Sequence, residues 1–187
     1  ENRPIFTHRV VGNFNQQNME GYMPAIVASI DDILGHYKDV KGIIHGHTYK
    51  ICEYIAQHSK ASARLIYPKT AREQTEALGR HFSSPEPTIL LSPSMKEGVD
   101  LKDDACRIQI IVKTPYPYLG DPVVKKRMEL YPNYYRLKTA LALVQSYGRA
   151  VRSETDHAAT FLLDGNTVKF IKMNQDLFPK WFLKAMV

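Results

Sequence analysis

The chain alternates short apolar runs with longer stretches in which apolar side chains recur every three or four positions. Between Met23 and Tyr37 the residues Ile26, Val27, Ile30, Ile33, Leu34 and Tyr37 share one face, which predicts a helix with a buried stripe. Gly42-Ile43-Ile44-His45 reads as a short buried strand broken by Gly46. Thr48 is placed to cap a following helix, through Gln57, that turns Ile51, Cys52 and Ile55 inward. Arg64–Tyr67, Thr88–Leu91, Arg107–Val112 and Thr160–Leu163 read as further strands. Thr70-Ala71-Arg72-Glu73 has capping-box spacing, in which hydroxyl and carboxylate satisfy two amides at a helix start. The strand segments are continuous Ile/Leu/Val runs, so both of their faces are expected to be covered.

Pro115, Pro117 and Pro122 forbid regular structure from Thr114 to Pro122 and predict a long loop. Val123 to Tyr131 can be helical. After Pro132, a long helix is expected from Leu137 to Val151, with Leu137, Ala140, Leu141, Val144 and Gly148 on one side. An amphipathic tail ends in Pro179-Lys180-Trp181-Phe182-Leu183. Strands alternating with helices predict an α/β domain with a mainly parallel central sheet and helices on both faces. Functional groups in such sheets gather beyond the carboxyl ends of the strands, so the unusual polar clusters should follow strands.

The 187 residues suffice for one domain with a sizeable core, and 44% hydrophobic with 24% charged residues exclude collagen-like and wholly disordered chains. No apolar run approaches the ~20 residues that span a bilayer, and no signal peptide opens the chain. Glu1-Asn2-Arg3-Pro4 reads as a cut inside a longer protein. Cys52 and Cys106 are too few for a disulfide scaffold, so an intracellular, reducing, cytoplasmic or nucleoid-associated setting is expected. A formal charge of +6 permits a polyanionic partner.

Two clusters carry candidate chemistry. One is Ser94-Met95-Lys96-Glu97-Gly98-Val99-Asp100, after the Thr88–Leu91 strand. The other is Gln145-Ser146-Tyr147-Gly148-Arg149-Ala150-Val151-Arg152. On the long helix Gln145, Arg149 and Arg152 sit at i, i+4 and i+7 and so share one face spanning about 10 Å. Two neighbouring guanidinium groups repel each other unless an anion lies near, and a triphosphate suits their fork of donors. A plainer reading pairs the arginines with Glu154 and Asp156. Gly148 favours the functional reading, because glycine within a helix costs about 1 kcal/mol relative to alanine and suggests close approach of another group.

Ser-Met-Lys-Glu-Gly-Val-Asp followed by Gln-x-x-Gly-Arg-x-x-Arg resembles motifs five and six of superfamily-two helicases, in the XPD/DinG group. The segment from Thr114 to Glu129 is similar to the proline-rich stretch that this group carries between them. Gly46-His47-Thr48-Tyr49 falls where motif four usually reads Phe-Pro-Ser-Tyr. Asp156, Leu163-Asp164 and the ending Leu177-Phe-Pro-Lys-Trp-Phe match later segments, so the resemblance covers nearly the whole chain. It implies that residues 1–187 form the second RecA-like motor domain of such a helicase, with a proline-rich, helical insertion at about 114–136. His47 and Thr48 depart from the usual motif-four proline and serine. The sequence has no GxxxxGK[ST] phosphate loop and no Asp-Glu-Ala-His run.

The resemblance further implies that ATP with magnesium is held mainly by an N-terminal RecA-like domain of the same polypeptide. Arg152 and Arg149 would reach that ATP as arginine fingers. Gln145 would position phosphate or water, and Glu97, Gly98 and Asp100 would line the nucleotide edge. Thr48, Tyr49, Ser94 and Lys96 would contact the backbone of single-stranded DNA, with 5′-to-3′ travel. Tyr116, Tyr118, Tyr131, Tyr134 and Tyr135, interleaved with Lys125, Lys126, Arg127 and Arg136, offer stacking faces beside cations. The competing class is a non-catalytic nucleic-acid-binding module that keeps the fold without the motor. A metal site at His45, His47 and Cys52 is disfavoured, because alternate residues of an extended segment point to opposite sides. No GxGxxG follows a strand, which disfavours a dinucleotide site.

Overall fold

The computed structural model describes residues 3–7, 11–15, 17–93, 101, 103–148, 150 and 156–187. Its centre is a sheet of six strands: β1 (Ile5–Phe6), β2 (Gly42–His45), β3 (Leu65–Ile66), β4 (Ile89–Ser92), β5 (Ile108–Ile111) and β6 (Ala159–Leu162). The spatial order is β1-β6-β5-β2-β4-β3, and every pairing is parallel. Parallel neighbours require crossovers, and among the described residues five helices lie between strands, α1 (Met19–His36), α2 (Tyr49–His58), α3 (Ala71–Ser83), α4 (Pro122–Leu130) and α5 (Tyr134–Tyr147), while α6 (Gly165–Met173) and α7 (Lys180–Lys184) follow β6.

Alternation along the central strands sorts the core into two layers. Ile44, Leu91, Ile110 and Phe161 pack against Ile26, Ile30 and Ile33 of α1 and Ile51 and Ile55 of α2. On the opposite face, Ile111 and Leu162 meet Ala140, Leu143 and Tyr147 of α5 with Phe170 and Phe182 of α6 and α7. A third cluster joins Ile43 and Leu90 to Ala77 of α3, Leu101, Cys106, Ala150 and Ala158. The result is the expected three-layer α/β domain.

Three elements differ from the sequence pattern. β1 consists of two residues, too few to show periodicity, and is held by its pairing with Thr160 and Phe161. Helix α1 begins at Met19 and runs through Pro24, whose missing amide lies close to the helix start. Helix α5 starts at Tyr134 and stops at Tyr147, with Gly148 as its C-terminal cap, and the rest of the helix expected to Val151 lies, Ala150 apart, outside the described residues. Its buried positions are Thr139, Ala140, Leu143, Ser146 and Tyr147, whereas Leu137 and Leu141 face outward. Gly148 has φ of −72°, open to any residue, and a Cβ there would meet the Val144 carbonyl at an ordinary 3.4 Å, so neither a left-handed cap nor close approach to a described residue accounts for the glycine.

Candidate nucleotide and nucleic-acid edges

The helices that cross between strands run against them, so the two ends of the sheet differ in chemistry. At the amino ends of β5 and β6, Arg107 is the organising residue. Its Nη1 donates to Asp156 Oδ1 (2.6 Å) and to the His157 carbonyl (3.0 Å), while its Nη2 donates to Asp104 Oδ1 (2.8 Å). Asp156, 3% exposed, also accepts from the backbone amides of Asp103 and His157. Leu101 and Ala150, both fully buried, belong to one apolar cluster. The described residues that flank the two predicted nucleotide motifs, Leu101, Asp103 and Asp104 on one side and Ala150, Asp156 and His157 on the other, therefore meet at the amino edge.

Ser92, which leads into the first motif, ends β4 at the carboxyl edge, so that loop passes from the carboxyl edge to Leu101 at the amino edge. β5 leads through the proline loop to α5, and α5 returns the chain to the amino edge before β6 begins. Gln145 is exposed in the last turn of α5. Glu97, Gly98, Asp100, Arg149 and Arg152, with Ser94 and Lys96, lie outside the described residues. The acidic residue of the plainer pairing, Asp156, is engaged by Arg107.

The carboxyl edge gathers the ends of β2, β4, β5 and β6. The Gly46 amide donates to the Ser92 carbonyl (2.9 Å), and the Val112 amide to the His45 carbonyl (3.1 Å). A Cβ on Gly46 would stand 2.4 Å from Cys52 Sγ, so only glycine lets α2 pack this closely. His47 follows with φ of 70°, in the left-handed region, and turns the chain into α2. Thr48 caps that helix by accepting from the Ile51 amide (3.2 Å) and remains exposed. Tyr49 opens the helix with an exposed ring. The motif-four position thus keeps a hydroxyl cap although serine is replaced. Burial, together with the neighbouring Lys113 ammonium, holds the His47 imidazole down at about 4, so it is neutral at pH 7.

Asp164 closes this edge. Fully buried, its carboxylate accepts from the amides of Phe14 (3.1 Å), Asn166 (2.9 Å) and Thr114 (2.9 Å) and from the Thr114 hydroxyl (2.6 Å). It caps α6 and pins the start of the proline loop in one contact set. Lys113, partly exposed between β5 and that loop, is a basic candidate that the sequence pattern did not single out.

The tyrosines divide. Tyr116 stacks on Tyr135 (5.6 Å between centroids, 7° between planes) and meets Phe170 edge-on, while Arg127 lies over the Tyr134 ring. Tyr118 and Tyr131 are exposed. Among the cations, Lys126 pairs with Glu129, and Arg136 donates to Asn174. A cavity of about 590 Å³ lies elsewhere, at the β1 end of the sheet, lined by Phe6, Ile33, His36, Tyr37 and Phe161. Among the described residues no three His, Cys, Asp or Glu side chains come within reach of one metal ion, and no helix is long and apolar enough to cross a membrane.

This architecture defines a RecA-like α/β domain. It aligns over 99% of its length with 37% of the chain in the structure of S. tokodaii Xpd4 (TM-score 0.67, 15% identity). Over 94% of its length it also aligns with 59% of the chain of Mss116p DEAD-box helicase domain 2 bound to an RNA duplex (TM-score 0.54, 11% identity). The model of the family "Helicase C-terminal domain" matches residues 45–185, and the chain belongs to that family. A regulator of telomere elongation helicase 1 homolog from Caenorhabditis briggsae is 28% identical over 141 residues, covering 63% of this chain and 14% of that protein. The ATP-dependent DNA helicase CHL1 from Candida albicans is 32% identical over 109 residues, covering 49% of this chain and 12% of that one. The chain thus spans a small part of these relatives.

Proposed function

We propose that this domain is the C-terminal motor half of an ATP-dependent DNA helicase or translocase, forming a single RecA-like unit with an insertion at about 114–136. The observation that supports the reading is the meeting of Leu101 with Ala150, and of Asp103 and Arg107 with Asp156, in a helicase C-terminal family member. Such a junction would let Arg149 and Arg152 act with Glu97, Gly98 and Asp100 on one nucleotide. ATP with magnesium would be held mainly by an N-terminal RecA-like domain of the same polypeptide. The two arginines would neutralise charge on the transferring phosphoryl group, and Gln145 would orient phosphate or water.

Single-stranded DNA would lie along the carboxyl edge, against Thr48, Tyr49, Ser94 and Lys96. Amides at helix N-termini and the Lys113 ammonium favour backbone phosphates there, and exposed Tyr49 offers a stacking face. Closure on ATP and opening after hydrolysis would then move the strand.

The test is Arg152→Ala in the full-length protein. DNA-stimulated ATP hydrolysis should fall by about 10³ or more with the circular dichroism spectrum unchanged. Hydrolysis at the parental rate would refute the arginine assignment. The domain alone should turn over almost no ATP.

A further inference from the structure

β5 contains a residue that stability does not explain. Within Ile108-Gln109-Ile110-Ile111-Val112, a fully apolar strand would suit the buried centre of a parallel sheet, yet Gln109 stands there 1% exposed. Its Nε2 donates to the carbonyl of Tyr147 (2.9 Å) and to Thr160 Oγ1 (2.9 Å). A carbonyl only accepts, so the amide is fixed in this orientation, and Oε1 is left buried without a hydrogen-bond partner. A buried orphan acceptor is costly and calls for a reason.

The reason lies in what the amide grips. Tyr147 is the last residue of α5, and its carbonyl is one of those that a helix end leaves unpaired. The rest of Tyr147 is held as firmly. Its phenol donates to the Arg3 carbonyl (2.5 Å), and its ring stacks on Trp181 (5.9 Å, 19°) and meets Phe182 edge-on (5.2 Å, 75°). The Arg3 guanidinium sits 5.0 Å from the Trp181 ring centroid. Two residues beyond Gly148, Ala150 is fully buried in a separate cluster with Leu101. Tyr147 and Ala150, on either side of position 149 in the sequence, are therefore both held in the interior.

We infer that Gln109 and Tyr147 are positioning residues for the arginine segment 149–152, tying its departure point to the sheet and to the first strand. This rests on the proposed role of Arg149 and Arg152. A misplacement of about 1 Å at such a group can cost a hundredfold in rate, which would explain an otherwise unfavourable buried amide.

The full-length protein tests this with Gln109→Met, which keeps the length and apolar character of the stem but cannot donate. The expected result is a drop of at least about tenfold in kcat for DNA-stimulated ATP hydrolysis, with KM for ATP within about twofold. The thermal midpoint should stay within about 3 °C, because the lost donors are offset by removal of the orphan oxygen. Tyr147→Phe removes the bond to the Arg3 carbonyl and keeps the ring, and should lower kcat by about threefold. Ile110→Val, on the same strand but facing α1 and α2, serves as the stability control and should leave kcat unchanged.

Parental kcat in Gln109→Met overturns the inference, as does an equal loss in Ile110→Val. Should Gln109→Met fail to fold, Tyr147→Phe decides, and parental kcat there overturns it. Arg152→Ala at the parental rate would instead sink the arginine-finger reading beneath it.

Discussion

The two ends of the sheet are held by opposite chemistry. Helices that follow strands begin at the carboxyl edge, where acceptors meet their unpaired amides: Thr48 for α2, Thr70 for α3 and Asp164 for α6. Helices end at the amino edge, where donors meet unpaired carbonyls. Arg64 donates to the carbonyls of Leu34, Tyr37, Val40 and Pro87, Lys41 to those of His81 and Phe82, and Gln109 to that of Tyr147. The difference bears on the two anions of the proposed function. Phosphates along the carboxyl edge would meet helix N-termini, a favourable field before any side chain is added. A nucleotide at the amino edge would meet the negative ends of helices, so guanidinium groups would have to supply the attraction there.

Breaking the donor side should have the largest effect. Arg107→Met removes the guanidinium from the carboxylate of Asp156, whose side chain is 1% exposed, and should cost about 3–5 kcal/mol by urea unfolding. On the acceptor side, Asp164→Ala leaves the amides of Phe14, Thr114 and Asn166 without their carboxylate, for about 2–3 kcal/mol. An Asp164→Ala loss larger than that of Arg107→Met would reverse the ranking of the edges.

Acid should sharpen the contrast. His47, at the carboxyl edge, has its folded value near 4, below the ordinary 6.5. The unfolded chain therefore takes up the proton first. The stabilising contribution is complete above about pH 6.5 and is lost as pH falls toward 4. Asparagine tolerates the left-handed conformation, so His47→Asn should flatten the unfolding midpoint across that window. His81 shifts in the same direction, chiefly through burial, while its Nε2 meets the Ala105 carbonyl and its Nδ1 the Thr88 hydroxyl. A profile unchanged in His47→Asn would assign the acid sensitivity elsewhere. The smallest effect is Thr48→Ala, about 1 kcal/mol from the lost cap, read as a small shift in midpoint.

Most strands and helices were legible because burial on both faces leaves continuous Ile/Leu/Val runs, and because Thr48 and Thr70 announce helix starts. Long-range contacts were not legible. β1 exists through partners more than 150 positions away. The inward face of α5 was read a step out of phase, because Leu137 and Leu141 mimic a core stripe while Thr139 and Ser146 occupy buried positions, bonding back to the carbonyls of Tyr135 and Ala142. The meeting of Leu101 and Ala150 in one cluster was not legible in the sequence, since it depends on where α5 stops. Gln109 left a trace, as the one polar residue interrupting an apolar strand.

The close packing that forces glycine at position 46 also seals a sulfur atom. Cys52 and Cys106 are the only cysteines in the chain, and burial pushes both thiols up to about 12. Neither forms a nucleophilic thiolate at neutral pH. A cysteine introduced on an exposed helix would then be the single handle for a maleimide dye, and distance measurements on this motor would not require the native pair to be replaced.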